Sequence, residues 1–240
     1  MSASSDSIHL LVATRNAHKV VEIRAILGES LSYLTLVDFP GAPEVVEDSD
    51  TFAGNAAKKA LELARWLAGI PRSTLHAPRS FVLADDSGLE VDALNGAPGV
   101  HSARFAARDA GKPGNSPDAE NNAKLLGVLA RVPLEKRSAR FRCAIALTPV
   151  LLKPIRNASP VCSADEFEMQ TERFEGACEG RIDFAPRGRG GFGYDPLFIP
   201  DGFEQTFAEL GEEVKNRLSH RAKALAKLKC WLDSRFPVSK

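Results

Sequence analysis

The chain has no surplus charge of either sign: 31 Lys and Arg stand against 31 Asp and Glu in 240 residues, a formal net charge of zero. Without an overall basic field nothing draws in a nucleic-acid backbone nonspecifically, so a nucleic-acid partner is disfavoured. Cysteine is scarce and scattered. Cys143, Cys162, Cys178 and Cys230 make no CxxC pair, no Cys/His ligand spacing and no disulfide framework, which predicts reduced thiols in a cytosolic protein. The first seven residues, Met1 to Ser7, lack the basic start and apolar run of a signal peptide, and the hydrophobic segment Ile8 to Ala13 is far too short to span a bilayer. The expectation is a soluble, cytoplasmic protein with no membrane partner and a flexible N-terminus over residues 1–7. Internal repeats and low-complexity tracts are absent too. What remains, 240 residues of which 44% are hydrophobic, suffices for one well-buried domain, expected over residues 1–240.

Its pattern alternates strand and helix. Ile8 to Ala13 reads as a buried strand stopping at the polar turn Thr14-Arg15-Asn16, and Val20, Ile23 and Leu27 follow at helical spacing. A second helix is predicted over Thr51 to Leu67, where Ala56, Ala60, Leu63 and Leu67 recur every three or four residues. Phe81 to Ala84 is again strand-like and is expected to end in Asp85-Asp86-Ser87-Gly88. Apolar strands that stop at polar clusters are where alternating α/β folds place ligands. Ala107 to Asp118 reads as a surface loop, with a helix from Asp118 or Ala119 to about Leu129. Arg140 to Leu147 reads as a strand, Lys153 to Asp165 as a second loop, and Phe167 to Phe174 as an alternating sheet strand. A last helix carries the stripe Leu218, Ala222, Leu225, Leu228 and Leu232, with Lys223 and Lys227 on the surface. The fold expected from the pattern is α/β with a mixed sheet.

Four segments carry chemistry. In Thr14-Arg15-Asn16-Ala17-His18-Lys19 a hydroxyl, an amide and a cation meet where a strand gives way to a helix; helix-start N–H groups favour an anion and Lys19 adds a point charge. The same residues also suit a plain reading, with Asn16 as helix cap and Lys19 solvated. In Asp85-Asp86-Ser87-Gly88 two carboxylates at a buried strand end repel each other and persist best when a cation such as Mg²⁺ neutralises them, although Asp-Asp-Ser-Gly is also ordinary turn composition. Neighbours on a strand face opposite ways, so one of the two is expected at the site. Glu47, just ahead of the second helix, either completes a hard oxygen shell or is a solvated acid.

Arg187 to Pro196 is a glycine-rich stretch ending in Phe192-Gly193-Tyr194-Asp195-Pro196. Its glycines let backbone approach a ligand, Phe192 and Tyr194 offer π faces to a base, and Asp195 accepts hydrogens. It is neither a Walker A loop nor a dinucleotide fingerprint. Lys215, with Ser219-His220-Arg221, either binds phosphate or a purine six-position oxygen, or forms the polar face of a helix.

In combination and in order, Thr14-x-Asn16-x-x-Lys19, Glu47 ahead of Thr51-Phe52-x-x-Asn55-Ala56, Ala84 to Leu89, Gly96-Ala97-Pro98-Gly99-x-x-Ser102-Ala103-Arg104, Gly191 to Pro196 and Ser219-His220-Arg221 closely resemble the ITPase family, also called the Ham1 or RdgB family of noncanonical purine NTP pyrophosphatases. The resemblance runs from about Leu10 to Leu232. It implies an elongated α/β fold with a mixed, twisted sheet, two lobes and an active-site cleft, and a homodimer. It also implies Mg²⁺-dependent hydrolysis of ITP, dITP and XTP to the monophosphate and pyrophosphate.

Carried onto matching positions, the resemblance gives Thr14 to Lys19 the triphosphate, Glu47 and Asp86 the metal, and Asp86 the part of proton acceptor. Ser87 touches the substrate, while Phe192, Gly193, Tyr194 and Asp195 with Lys215, His220 and Arg221 form the base pocket. A metal on Asp86 would lower its basicity, so the two parts of that residue compete. Arg15 stands where many relatives have glycine, and the loops at 107–116 and 153–165 exceed the family core. Rival readings are a Maf-like pyrophosphatase of other nucleotides and a nucleotide-binding module without catalysis.

Overall fold

The computed structural model describes residues 7–70, 79–109, 111, 114–151 and 166–237; the loop expected over Lys153 to Asp165, Cys162 within it, and residues 1–6 of the expected flexible N-terminus lie outside the described residues. In chain order the elements are β1 (His9–Val12), α1 (Ala17–Leu27), β2 (Ser32–Thr35), α2 (Phe52–Ala68), β3 (Ser80–Val91), α3 (Phe105–Asp109), α4 (Asp118–Val128), β4 (Ser138–Pro149), α5 (Glu166–Met169), β5 (Glu172–Ile182), β6 (Phe198–Pro200), α6 (Phe207–Leu218) and α7 (His220–Arg235). The strands form one open sheet in the order β2-β1-β3-β4-β5-β6. It is mixed as expected: β1 runs parallel to β2 and β3, and β6 antiparallel to β5.

The chain divides into two compact units, one of Met1–Asp86, Ala144–Phe174 and Leu228–Lys240, the other of Ser87–Cys143 and Glu175–Lys227. In the first, β1 lies between two parallel neighbours and Leu10, Leu11 and Val12 are buried without alternation, the signature of a strand covered on both faces. Thr51 caps α2 through its hydroxyl, which accepts Gly54 N–H at 3.0 Å, and the helix buries Ala56, Ala60, Leu63 and Leu67 as the spacing requires. In the second unit Leu89, Val91, Leu125, Phe141, Ile182, Leu197, Phe198 and Phe207 belong to one apolar cluster.

Four expectations are corrected. β3 does not end at Asp85; it continues through Asp86-Ser87-Gly88 to Val91, because both carboxylates find partners inside the fold and Leu89 and Val91 are buried beyond them. The loop expected from Ala107 begins later, since α3 holds residues as far as Asp109. The strand expected over Phe167 to Phe174 is a short helix, α5, followed by β5 from Glu172. The last helix is two: Ser219 takes an extended backbone (φ −66, ψ 160) and its hydroxyl accepts Ala222 N–H at 3.1 Å, which closes α6 and starts α7 at His220. Leu218 therefore belongs to α6, while Ala222, Leu225, Leu228 and Leu232 are buried along α7.

Candidate active site

In the first unit the carboxyl end of β1 is level with the middle of β3. Val12 pairs with Leu83 and Ala13 N–H donates to the Leu83 carbonyl at 2.8 Å, so the turn leaving β1 starts beside Asp85. Thr14 accepts Asn16 N–H at 3.1 Å, and Asn16 Oδ1 accepts the N–H groups of His18 and Lys19 at 2.9 and 3.3 Å. Asn16 is thus the helix cap of the plain reading. Lys19 is not solvated: its ammonium pairs with the buried Asp85 carboxylate. Arg15, Ala17 and His18 are exposed at the helix start.

Asp86, on the next position of β3, is buried and accepts Asn55 Nδ2 at 3.0 Å. Burial is the main cause that pushes its carboxyl up from 3.8 to about 6, and the Glu47 charge adds to the rise against the lowering effects of Lys19, Asn55 and Lys59. Glu47 pairs with Lys59 Nζ at 2.6 Å, and the same ammonium donates to the Asp85 carbonyl at 3.2 Å. Asn55 and Lys59 lie four residues apart, on one face of α2. Two carboxylates and two ammonium groups are therefore gathered around Asp86.

Lys59 and Asn55 were not singled out as site residues by sequence reasoning. The available signal was that Asn55 belongs to the Thr51-Phe52-x-x-Asn55-Ala56 motif at the start of the helix and that Lys59 follows it by one turn. Among the described residues no group of three or more His, Cys, Asp or Glu side chains stands close enough to hold a metal alone. A pair of hard carboxylates that sense each other's charge nonetheless fits Mg²⁺, which binds through one or two carboxylates and completes its shell with phosphate oxygens and water.

The second unit gathers the other expected residues. Arg221 Nη2 donates to Ser87 Oγ at 2.8 Å and its guanidinium stands 5.8 Å from the Phe192 ring centroid. Lys215 Nζ lies 4.3 Å from the same centroid and donates to Asp195 Oδ2 at 2.6 Å. That carboxylate also accepts Phe192 N–H at 2.9 Å. At Gly191 φ is +73°, and a side chain there would strike the Asp195 carboxylate, so only glycine lets the loop fold over its own aspartate. His220 stacks on Phe141 with centroids 4.8 Å apart and planes 13° from parallel. Lys215, His220 and Arg221 are all buried, which overturns the reading of this block as a helix's polar face. Tyr194 is a further correction. Its ring lies in the apolar core rather than presenting a face, and its hydroxyl donates to the Ser102 carbonyl at 2.9 Å.

An open mixed sheet with helices defines an α/β protein, one unit clustering carboxylates and lysines, the other cations around an aromatic ring. A model of the Ham1 family matches residues 10–231, and the chain belongs to that family. It is 43% identical over 228 residues to a dITP/XTP pyrophosphatase of Shouchella clausii, covering 95% of this chain and 98% of that one. It is 47% identical over 221 residues to a dITP/XTP pyrophosphatase of Geobacter sulfurreducens, covering 92% and 94%. The solved structure of a HAM1 protein from Coxiella burnetii superposes with a TM-score of 0.72 at 33% identity, over 95% of this chain and 99% of that one.

Proposed function

We propose that this protein is a Mg²⁺-dependent pyrophosphatase that converts ITP, dITP and XTP to the monophosphate and pyrophosphate. The observation that carries the reading is Asp86: a buried carboxylate pushed up to about 6, oriented by Asn55 and standing near the charges of Glu47, Lys19 and Lys59. Such a group is poised to take a proton near neutral pH.

Asp86 and Glu47 are the residues that would hold Mg²⁺, which supplies charge neutralisation for the phosphates. Lys19 has three donor hydrogens, so it can keep Asp85 and still reach a phosphate oxygen. Lys59, on Glu47, adds a second positive charge. A water oxygen bonds to the α-phosphorus, the bond to the bridging oxygen of the β-phosphate breaks, and pyrophosphate leaves with that oxygen. Asp86 accepts the proton. In the second unit Phe192 offers its ring to the purine, while Lys215, His220 and Arg221 are the candidate donors to a six-oxo group. Against adenine, whose six-amino group presents hydrogens, a buried donor would be left unpaired, and this favours six-oxo purines such as inosine and xanthine over adenine.

Pyrophosphate release from ITP, XTP, GTP, ATP, dUTP and dTTP, each with and without Mg²⁺, tests reaction, metal and base together. Release from ITP and XTP that EDTA abolishes is the expected result. Single-phosphate release, or preference for the pyrimidines, would overturn the reading.

A further inference from the structure

The loop from Gly191 to Pro196 is short of its own secondary structure, yet Phe192 and Asp195 must be held still if they are to recognise a base. One helix supplies the hold. Asp118, the first residue of α4, accepts Gly193 N–H through Oδ2 at 2.6 Å, and Asn122, one turn later, donates through Nδ2 to the Gly193 carbonyl at 3.0 Å. Residues four apart share a helix face, so a single face of α4 grips both polar groups of one glycine. That glycine has φ +64°, a backbone state that leaves its N–H and carbonyl outside any strand or helix ladder. Asp118 keeps its carboxylate in the first turn of α4, where the helix dipole favours it.

The peptides on either side of Gly193 are the ones that orient Phe192 and Tyr194. Tyr194 is anchored by its bond to the Ser102 carbonyl, and Asp195 by Lys215 and Phe192 N–H. The contacts of Gly193 with Asp118 and Asn122 complete the fixation of the loop on its Phe192 side. We infer that Asp118 and Asn122 are positioning residues for base recognition: they touch no reacting group themselves and act by holding the Phe192 ring and the Asp195 carboxylate in register. The inference rests on the proposed pyrophosphatase reading.

A charge-assisted hydrogen bond at a partly exposed site is worth roughly a three- to tenfold change in affinity. The test uses the full chain with Asp118→Ala, Asn122→Ala and the conservative Asp118→Asn. KM for ITP is expected to rise roughly three- to tenfold in both alanine variants with kcat within about twofold, and the ratio of kcat/KM for ITP over ATP is expected to fall. IMP binding, measured by calorimetry, weakens by a similar factor while pyrophosphate binding is unchanged, and Asp118→Asn, which keeps an acceptor for Gly193 N–H, retains most of the wild-type KM. A lower melting temperature with KM and the ITP/ATP ratio unchanged would make the contacts merely structural and overturn the inference, as would a loss confined to kcat. If wild-type protein itself releases no pyrophosphate from ITP, the pyrophosphatase reading fails first, and the inference falls with it.

Discussion

Asn55 Oδ1 accepts Ser49 N–H at 2.8 Å, which fixes the orientation of the amide and turns its Nδ2 toward Asp86 Oδ2 at 3.0 Å. The hydrogen-bond network, not the shape of the amide, assigns this orientation. Asp86 is thereby held by a neutral donor, which stabilises its anion less than a cation in direct contact would, and burial dominates its titration.

The first consequence concerns stability. Asp86 binds its proton more tightly in the folded chain, so its contribution to stability is full below about 4 and is lost as pH rises to about 6. A rise from 3.8 to about 6 corresponds to about 3 kcal/mol that the ionised group costs at neutral pH. Asp86→Asn removes that cost, so the metal-free variant should melt several degrees above wild type at pH 7.5 and show little difference at pH 4. The same variant should lose ITP turnover. Thermal unfolding in EDTA across pH, paired with an activity assay, checks both; equal melting temperatures at pH 7.5 would contradict the first, retained turnover the second.

Metal affinity should follow the same titration. Mg²⁺ requires the deprotonated carboxylate, so binding should release up to one proton and weaken as pH falls below about 6. Calorimetry in two buffers of different ionisation enthalpy reads the proton directly. Glu47→Gln should weaken Mg²⁺ binding at every pH, because a hard anionic donor is replaced by a neutral one.

Lys59 contacts both Glu47 and the Asp85 carbonyl, and it lowers the Asp86 carboxyl. In Lys59→Met the acid limb of the pH profile of kcat/KM should therefore move upward, and ITP turnover at pH 7.5 should fall by roughly tenfold or more as a phosphate counter-charge is lost. An unshifted limb would show that Lys59 does not act through Asp86.

The Lys215–Asp195 pair is almost fully buried, with side chains 2% and 3% exposed. Lys215→Met strips the carboxylate of its ion-pair partner and should destabilise the fold by about 3–5 kcal/mol. Adding Asp195→Asn should recover most of that loss without restoring ITP affinity. Urea unfolding of the single and double variants measures the first effect, and KM for ITP the second.

Much of this arrangement was legible along the chain because its causes are local. The Asn16 cap, the Thr51 cap and the burial of Ala56, Ala60, Leu63 and Leu67 depend on hydrogen bonds and helical phase within a few residues. The short strands β2 and β6 and the helix α6 left no such trace. β2 and β6 are too brief to alternate, and α6 is interrupted by Gly211 at φ +78°. The composition Asp-Asp-Ser-Gly suggested a turn because local rules cannot see Lys19 and Asn55, which satisfy those carboxylates from distant segments and let β3 run on.

By itself the sequence determined the alternating strand and helix pattern, the capped helix starts and the ordered motif set that marks the family, since each depends on neighbours within a turn or on residue identity alone. The tertiary structure alone decided that Lys19 is paired rather than solvated, that Lys215, His220 and Arg221 are buried rather than a polar face, that Tyr194 faces the core, and that α4 grips Gly193. Burial and charge pairing depend on which segments meet in space, and periodicity along one segment carries no information about the partner that arrives from another.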